Sequence, residues 1–177
     1  MHIDTRIPVF WAANLLLFLL TMLVNSGLAP FSLYLILLGP MLVLPALYLK
    51  SPSLILFSFI TGLSIDALLP LPYWLFVYSF PFIGLLIRSI RSHFRTETGY
   101  RSVLLAHIAN LTSTGLLCVS QCIYFRQFSN SLIQITSIVL LSHVLLHFVT
   151  SWFFSFERSL FQLLNIEHVN EDTLSAP

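Results

Sequence analysis

The residues able to do chemistry in this chain are few, and Asp66 stands out among them. It is the only acidic side chain between Asp4 and Glu97, and it lies inside the apolar run Pro52–Pro70. A carboxylate at membrane depth costs roughly 2.5 kcal/mol or more, so such residues face a bundle interior or a water-filled cavity. Gly62 precedes it by one helical turn, so the two share a helix face. The pair predicts a face packed on protein rather than on lipid. His143 and His147 are spaced i,i+4, and with His107, Cys118 and Cys122 they are types that ligate a metal or haem. No CxxCH motif accompanies them and no third ligand has characteristic spacing, so the expectation is interhelical hydrogen bonding, with no metal and no cofactor. Cys118 and Cys122 are one turn apart on a helix, a poor geometry for a disulfide, and read as small packing residues.

The remaining polar residues at membrane depth are Asn14, Asn110, Gln121 and Gln134. They either line a small-molecule site or bond one helix to another. Thr112-Ser113-Thr114-Gly115 reads as a packing face rather than a nucleophile site. The chain has no Gly-x-Ser-x-Gly, phosphate loop, HExxH or dinucleotide fingerprint, and no second intramembrane aspartate, so the expectation is not an enzyme.

These side chains need apolar elements to hold them. Of the 177 residues 57% are hydrophobic and only 8% charged, against about 25% charged in a soluble domain. The deficit points to a polytopic helical membrane protein. The net charge of +1 gives no global attraction for nucleic acid. Six apolar stretches separate: Ile7–Val24, closed by Asn25-Ser26-Gly27; Pro30–Leu49; Ser53–Leu69; Tyr73–Ile90; Ser102–Phe125; and Ser131–Phe154. Each approaches the roughly 20 residues that span a bilayer core. Lipid offers the backbone no hydrogen-bond partner, and the stretches lack period-two alternation, so they must be helices rather than a barrel. The first run is too long for a signal-peptide core and reads as an uncleaved helix.

With the N-terminus inside, Arg6, Lys50, Arg88, Arg91, Arg95, Arg101 and Arg158 fall on inner segments and only Arg126 on an outer one. That bias predicts both termini in the cytoplasm. The outer loops, Asn25–Ala29, Pro70–Pro72 and Arg126–Asn130, are short. The basic loop Arg88–Arg101 is either a topology determinant or a contact surface for a cytoplasmic partner. Ser155–Ile166 predicts a short amphipathic helix on the inner surface, with Phe156, Leu160, Leu163 and Leu164 on its apolar side and Glu157, Arg158 and Gln162 between them. Pro40 and Pro45 interrupt the second span and Pro81 the fourth, and such kinks can open a groove. The expected fold is an all-α integral membrane protein. Residues 1–166 form a six-helix transmembrane domain with N-in/C-in topology, and 167–177 a short, acidic, disordered cytoplasmic tail.

The layout of six spans, minimal loops and Gly62-Leu63-Ser64-Ile65-Asp66-Ala67-Leu68 in the third span resembles the rod shape-determining protein MreD family. There, a similar Gly-x-x-x-Asp segment is followed by a short outer turn and a fourth helix leading to basic residues, here Arg88 and Arg91. Pro70 and Pro72 stand where that family has a small residue, and the acidic tail and amphipathic helix exceed the family pattern. The resemblance implies a non-enzymatic scaffold of the bacterial inner membrane. Its partners would be an MreC-like bitopic protein and, through it, other proteins of the elongation and peptidoglycan-synthesis machinery. Gly62 and Asp66 would then hold the bundle together or bind a partner helix. The architecture is also similar to the substrate-binding S subunits of energy-coupling-factor transporters. That similarity implies a rival function in which Asp66 with Asn110, Gln121 or Gln134 binds a solute.

Overall fold

The computed structural model describes the backbone of residues 5–68, 74–94, 99–125 and 132–164. Within these it describes the side chains of 5–68, 74–90, 101–120 and 135–164. The described chain is helical, without strands. It comprises α1 (Arg6–Leu28), a 3-10 turn (Ala29–Phe31), α2 (Pro40–Tyr48), α3 (Ser51–Leu68), α4 (Leu75–Phe94), α5 (Gly99–Phe125) and α6 (Leu132–Leu163). Four segments are long and apolar enough to cross a membrane: Arg6–Phe31, Ser51–Leu68, Arg101–Ser120 and Ile135–Leu163. A shorter apolar helix covers Leu75–Ile90. Large apolar side chains such as Leu19 and Leu23 of α1, Tyr78 and Phe82 of α4, and Leu140 and Phe148 of α6 remain exposed. Outward apolar surface on this scale marks a protein that meets membrane or partners there.

Four expected boundaries are corrected. The signal Asn25-Ser26-Gly27 does not end the first helix, which continues to Leu28. The Ser26 hydroxyl donates within the helix to the Leu23 carbonyl, 3.0 Å, and the Asn25 amide bonds elsewhere. The basic loop Arg88–Arg101 is mostly helix, because nothing breaks α4 before Phe94 and α5 already starts at Gly99. The amphipathic helix is not a separate element: α6 runs unbroken for 32 residues to Leu163. No proline or glycine interrupts Leu132–Leu163. Its buried stripe is Thr150, Phe153, Phe154, Glu157 and Phe161, whereas Leu163 and Leu164 are exposed. Pro70–Pro72, Arg126–Asn130 and the tail 167–177 lie outside the described residues.

The largest correction concerns the second span, expected as one helix over Pro30–Leu49. Only Pro40–Tyr48 is α-helical, nine residues and about 14 Å at 1.5 Å per residue. Ser32 takes a left-handed conformation (φ 56°) that ends the 3-10 turn, and residues 33–38 are not helical. Gly39-Pro40 then restarts the helix, with proline at the position where a missing N–H does no harm. The expected kink is therefore a break. Residues Pro40–Ala46 of α2 are all buried, as a helix apolar on every side must be. This half-helix packs against α4 and α5 and touches α3 and α6. Around it Phe10 meets Phe57 and Phe161 edge to face, with ring centroids 6.0 and 4.8 Å apart.

Residues 33–38 have no helical ladder, so their buried backbone groups must find other partners. Side chains of three other helices supply them. Asn25 of α1 grips Leu35 twice, its Nδ2 donating to the carbonyl (2.9 Å) and its Oδ1 accepting from the amide (2.6 Å). Ser142 of α6 accepts from the Ile36 amide, 3.0 Å. Asn110 of α5 accepts from the amides of Leu38 and Gly39, 2.9 and 3.1 Å. Gly39 is required here, since a Cβ would overlap the Ala106 carbonyl and crowd Asn110. Pro45 leaves the Met41 carbonyl without its helical donor, and Asn14 Nδ2 of α1 fills the place at 2.9 Å. The last carbonyl, Leu49, accepts from the Arg88 guanidinium.

The Asn14–Met41 bond exists because of Pro45, and this predicts a measurable coupling. Asn14→Ala should destabilise the protein by about 1–2 kcal/mol. In a Pro45→Ala background, where residue 45 regains an N–H for Met41, the same change should cost markedly less. Thermal unfolding of the four proteins of this cycle in detergent measures it; strictly additive effects would contradict it.

Candidate functional site

Asp66 lies in the last turn of α3 and α4 begins at Leu75. A helix start leaves its first N–H groups unpaired, and the residue before the helix usually caps them with a side-chain oxygen. Trp74 occupies that position and has no such oxygen. Its backbone is also left-handed, φ 76°, a conformation that costs a non-glycine residue about 1 kcal/mol or more. The cap comes instead from the preceding helix. Asp66 accepts from the Phe76 amide through both oxygens (3.1 and 3.0 Å) and from the Val77 amide through Oδ2 (3.0 Å). A carboxylate there also meets the positive end of the α4 dipole.

The cap requires α3 and α4 to approach closely, and Gly62 allows it. A Cβ at Gly62 would overlap the Phe76 carbonyl and crowd the Val77 amide. Gly62 and Asp66 thus contact the same two residues of α4. On the next helix over, Trp11 Nε1 of α1 donates to Ser64 Oγ at 3.2 Å, and Ser64 donates in turn to the Ile60 carbonyl at 2.9 Å. Asp66 is half-buried and engaged by main chain, so it is placed as a structural cap rather than as an acid or base facing a substrate.

Of the other sequence candidates, Asn110 is engaged by Leu38 and Gly39. The side chains of Gln121, Cys122, Gln134 and Arg91, and the whole of Arg95, lie outside the described residues. Arg88 belongs to α4 and reaches the α2 end, as above, and Arg101 lies in α5. Of the residues expected to bind a solute under the rival function, the two described, Asp66 and Asn110, bond to different stretches of backbone.

His107 meets both His143 and His147 across α5 and α6, with ring centroids 5.4 and 6.2 Å apart. His143 Nδ1 pairs with the Val139 carbonyl at 3.0 Å. Among the described residues no set of three His, Cys, Asp or Glu side chains is arranged to hold a metal. In the Thr112–Gly115 stretch Ser113 and Thr114 are buried, but Gly115 faces open space, so only half of it is a packing face.

Two features escaped the sequence. Glu157, expected on a polar face, is 1% exposed, and among the described residues neither carboxylate oxygen has a hydrogen-bond partner. Its signal was the Thr150, Phe153, Phe154, Phe161 periodicity, masked by the competing leucine stripe. The other is a cleft of about 650 Å³ between the end of α1, residues 34–38 and Leu117 of α5. It required the break in the second span.

Asp66→Leu leaves the Phe76 and Val77 amides without an acceptor and should destabilise the protein by about 2–4 kcal/mol; Asp66→Asn keeps one acceptor oxygen and should lose about half as much. Gly62→Val should be as damaging as Asp66→Leu through overlap with the α4 backbone. Thermal unfolding in detergent ranks the three, and equal stability of the leucine and asparagine variants would contradict the cap.

No protein-family model matches this chain, and comparison with curated proteins and with solved structures finds no match.

Proposed function

We propose that the chain is a non-enzymatic scaffold of the bacterial inner membrane, working in the cell-elongation and peptidoglycan-synthesis machinery with an MreC-like bitopic protein and further membrane partners. It would cross the bilayer six times with both termini in the cytoplasm. Its second crossing would combine the non-helical residues 33–38 with the roughly 14 Å of α2, against a core of about 30 Å. The third-span resemblance and the inward bias of Arg and Lys motivate the assignment.

The observation that carries the non-enzymatic reading is the engagement of five polar side chains by main chain. Asn14, Asn25, Asp66, Asn110 and Ser142 all bond to the chain's own backbone. What faces outward is apolar helix surface. Among the described residues it carries a histidine cluster, His107, His143 and His147, beside exposed Ile108, Val144 and Phe148. Polar groups on the lateral face of a membrane helix favour contact with another protein over contact with lipid.

The test is crosslinking and affinity purification of the tagged chain from native membranes, followed by mass spectrometry. The scaffold reading expects an MreC-like protein and other elongation proteins. It expects their yield to fall strongly in Asp66→Leu and less in Asp66→Asn. Recovery of a paired ATPase with a coupling membrane subunit would replace it by the transporter-subunit reading.

A further inference from the structure

We propose that the cleft beside the broken second span is a binding site for a neutral amphipathic small molecule. The inference does not depend on the scaffold reading. The cleft measures about 650 Å³, within the roughly 300–1,000 Å³ typical of small-molecule sites. One wall is α1 (Phe18, Thr21, Met22), the other the non-helical residues 34–38. Asn25 holds that wall rigidly in place through Leu35.

The wall itself carries the argument. Leu35, Ile36 and Leu38 have acceptors for their amides, as described above. Among the described residues the amides of Tyr34 and Leu37 have none. Unwound backbone at membrane depth persists where it is buried in protein or lines a cavity. Broken spans are also where membrane proteins build solute sites from main-chain groups. The Leu35 amide bonds to α1 and those of Ile36 and Leu38 to α6 and α5, an alternation that gives Leu37 the orientation of Leu35. Its amide is therefore directed to the α1 side, where the cleft lies.

The ligand class follows from the lining. No charged side chain lines the cleft among the described residues, so an ion would be buried without a counter-charge. A pure hydrocarbon would leave the Leu37 amide unpaired. The polar side chains are hydroxyls and an amide, and the Thr21 and Ser26 hydroxyls donate to the Leu17 and Leu23 carbonyls, which leaves their lone pairs as acceptors. The fitting molecule has an apolar body, an acceptor such as a carbonyl for the Leu37 amide, and a hydroxyl or amide donor. An uncharged solute and the glycerol-ester portion of a lipid share this chemistry.

The full-length chain in mild detergent is irradiated with a diazirine-bearing monoacylglycerol, and labelled peptides are mapped. The proposal expects labelling concentrated in residues 18–41, at least fivefold weaker in Leu117→Trp, which fills the cleft, and unchanged in Val144→Trp on the outer face of α6. The anionic diazirine fatty acid should label this region at least fivefold less. Unfolding temperature checks that Leu117→Trp is folded; should it not be, Met22→Trp serves the same purpose. Uniform labelling of the outer helix faces, equal labelling by the anion, or labelling unaffected by filling would overturn the site. Solvent extracts of unlabelled protein distinguish the source. A lipid or a non-lipid solute enriched over the filled variant identifies it, and no enrichment of either kind counts against the site.

Discussion

A backbone N–H or C=O shielded from water needs a partner from the protein itself, and the stretch between α1 and α2 departs from the simplest solution, a continuous helix. The rest of the structure is arranged around that departure. The amides of Leu35, Ile36, Leu38 and Gly39 and the carbonyls of Leu35 and Met41 are met by Asn25 and Asn14 from α1, Asn110 from α5 and Ser142 from α6. Each of these bonds joins two elements distant in sequence, so fastening the break also fastens the bundle. Apolar packing alone is weakly directional between membrane helices, because lipid tails compete with leucine on equal terms. The polar clamps supply the register, and the phenylalanine cluster around α2 fills in behind them.

The α3–α4 hairpin repeats the same logic at a smaller scale. A helix start needs acceptors, the residue before it cannot provide them, and a carboxylate from the neighbouring helix does. Gly62 is the steric condition for that cap and Asp66 the electrostatic one. This is why the two occur together one turn apart. The left-handed Trp74 is the local strain that the cap holds in place.

How much of this could be read beforehand depended on which physical scale carried it. The helical, membrane-type character followed from composition, and the shared face of Gly62 and Asp66 followed from 3.6-residue periodicity. That Asp66 would meet main-chain amides was not legible, since it depends on where α4 begins. The break in Pro30–Leu49 was half legible. Pro40 and Pro45 announced a disturbance, but whether it becomes a kink or an unwound stretch is decided by asparagines 15 to 70 residues away. Asn25 was read as a turn residue because its local neighbours, Ser26 and Gly27, favour turns; the tertiary bond to Leu35 overrode them. The α6 face was misassigned because two apolar stripes share its last three turns. Aromatic contacts such as Phe161 on Phe10 select one of them.

Taken together, a bundle whose Asn14, Asn25, Asp66, Asn110 and Ser142 side chains bind its own backbone, with apolar flanks and a histidine cluster outward, is suited to holding other membrane proteins. The cleft adds a place where a small neutral molecule can meet unpaired main chain. Both readings rest on the second span being broken, and one observation tests that directly. Solid-state NMR of the protein in lipid bilayers, with ¹³C-leucine labels, reports backbone conformation at Leu33, Leu35, Leu37 and Leu38 through the Cα and Cβ shifts. The account predicts non-helical, extended-type shifts at these four and helical shifts at Leu42 and Leu44. Helical shifts from Leu33 through Leu44 would contradict it.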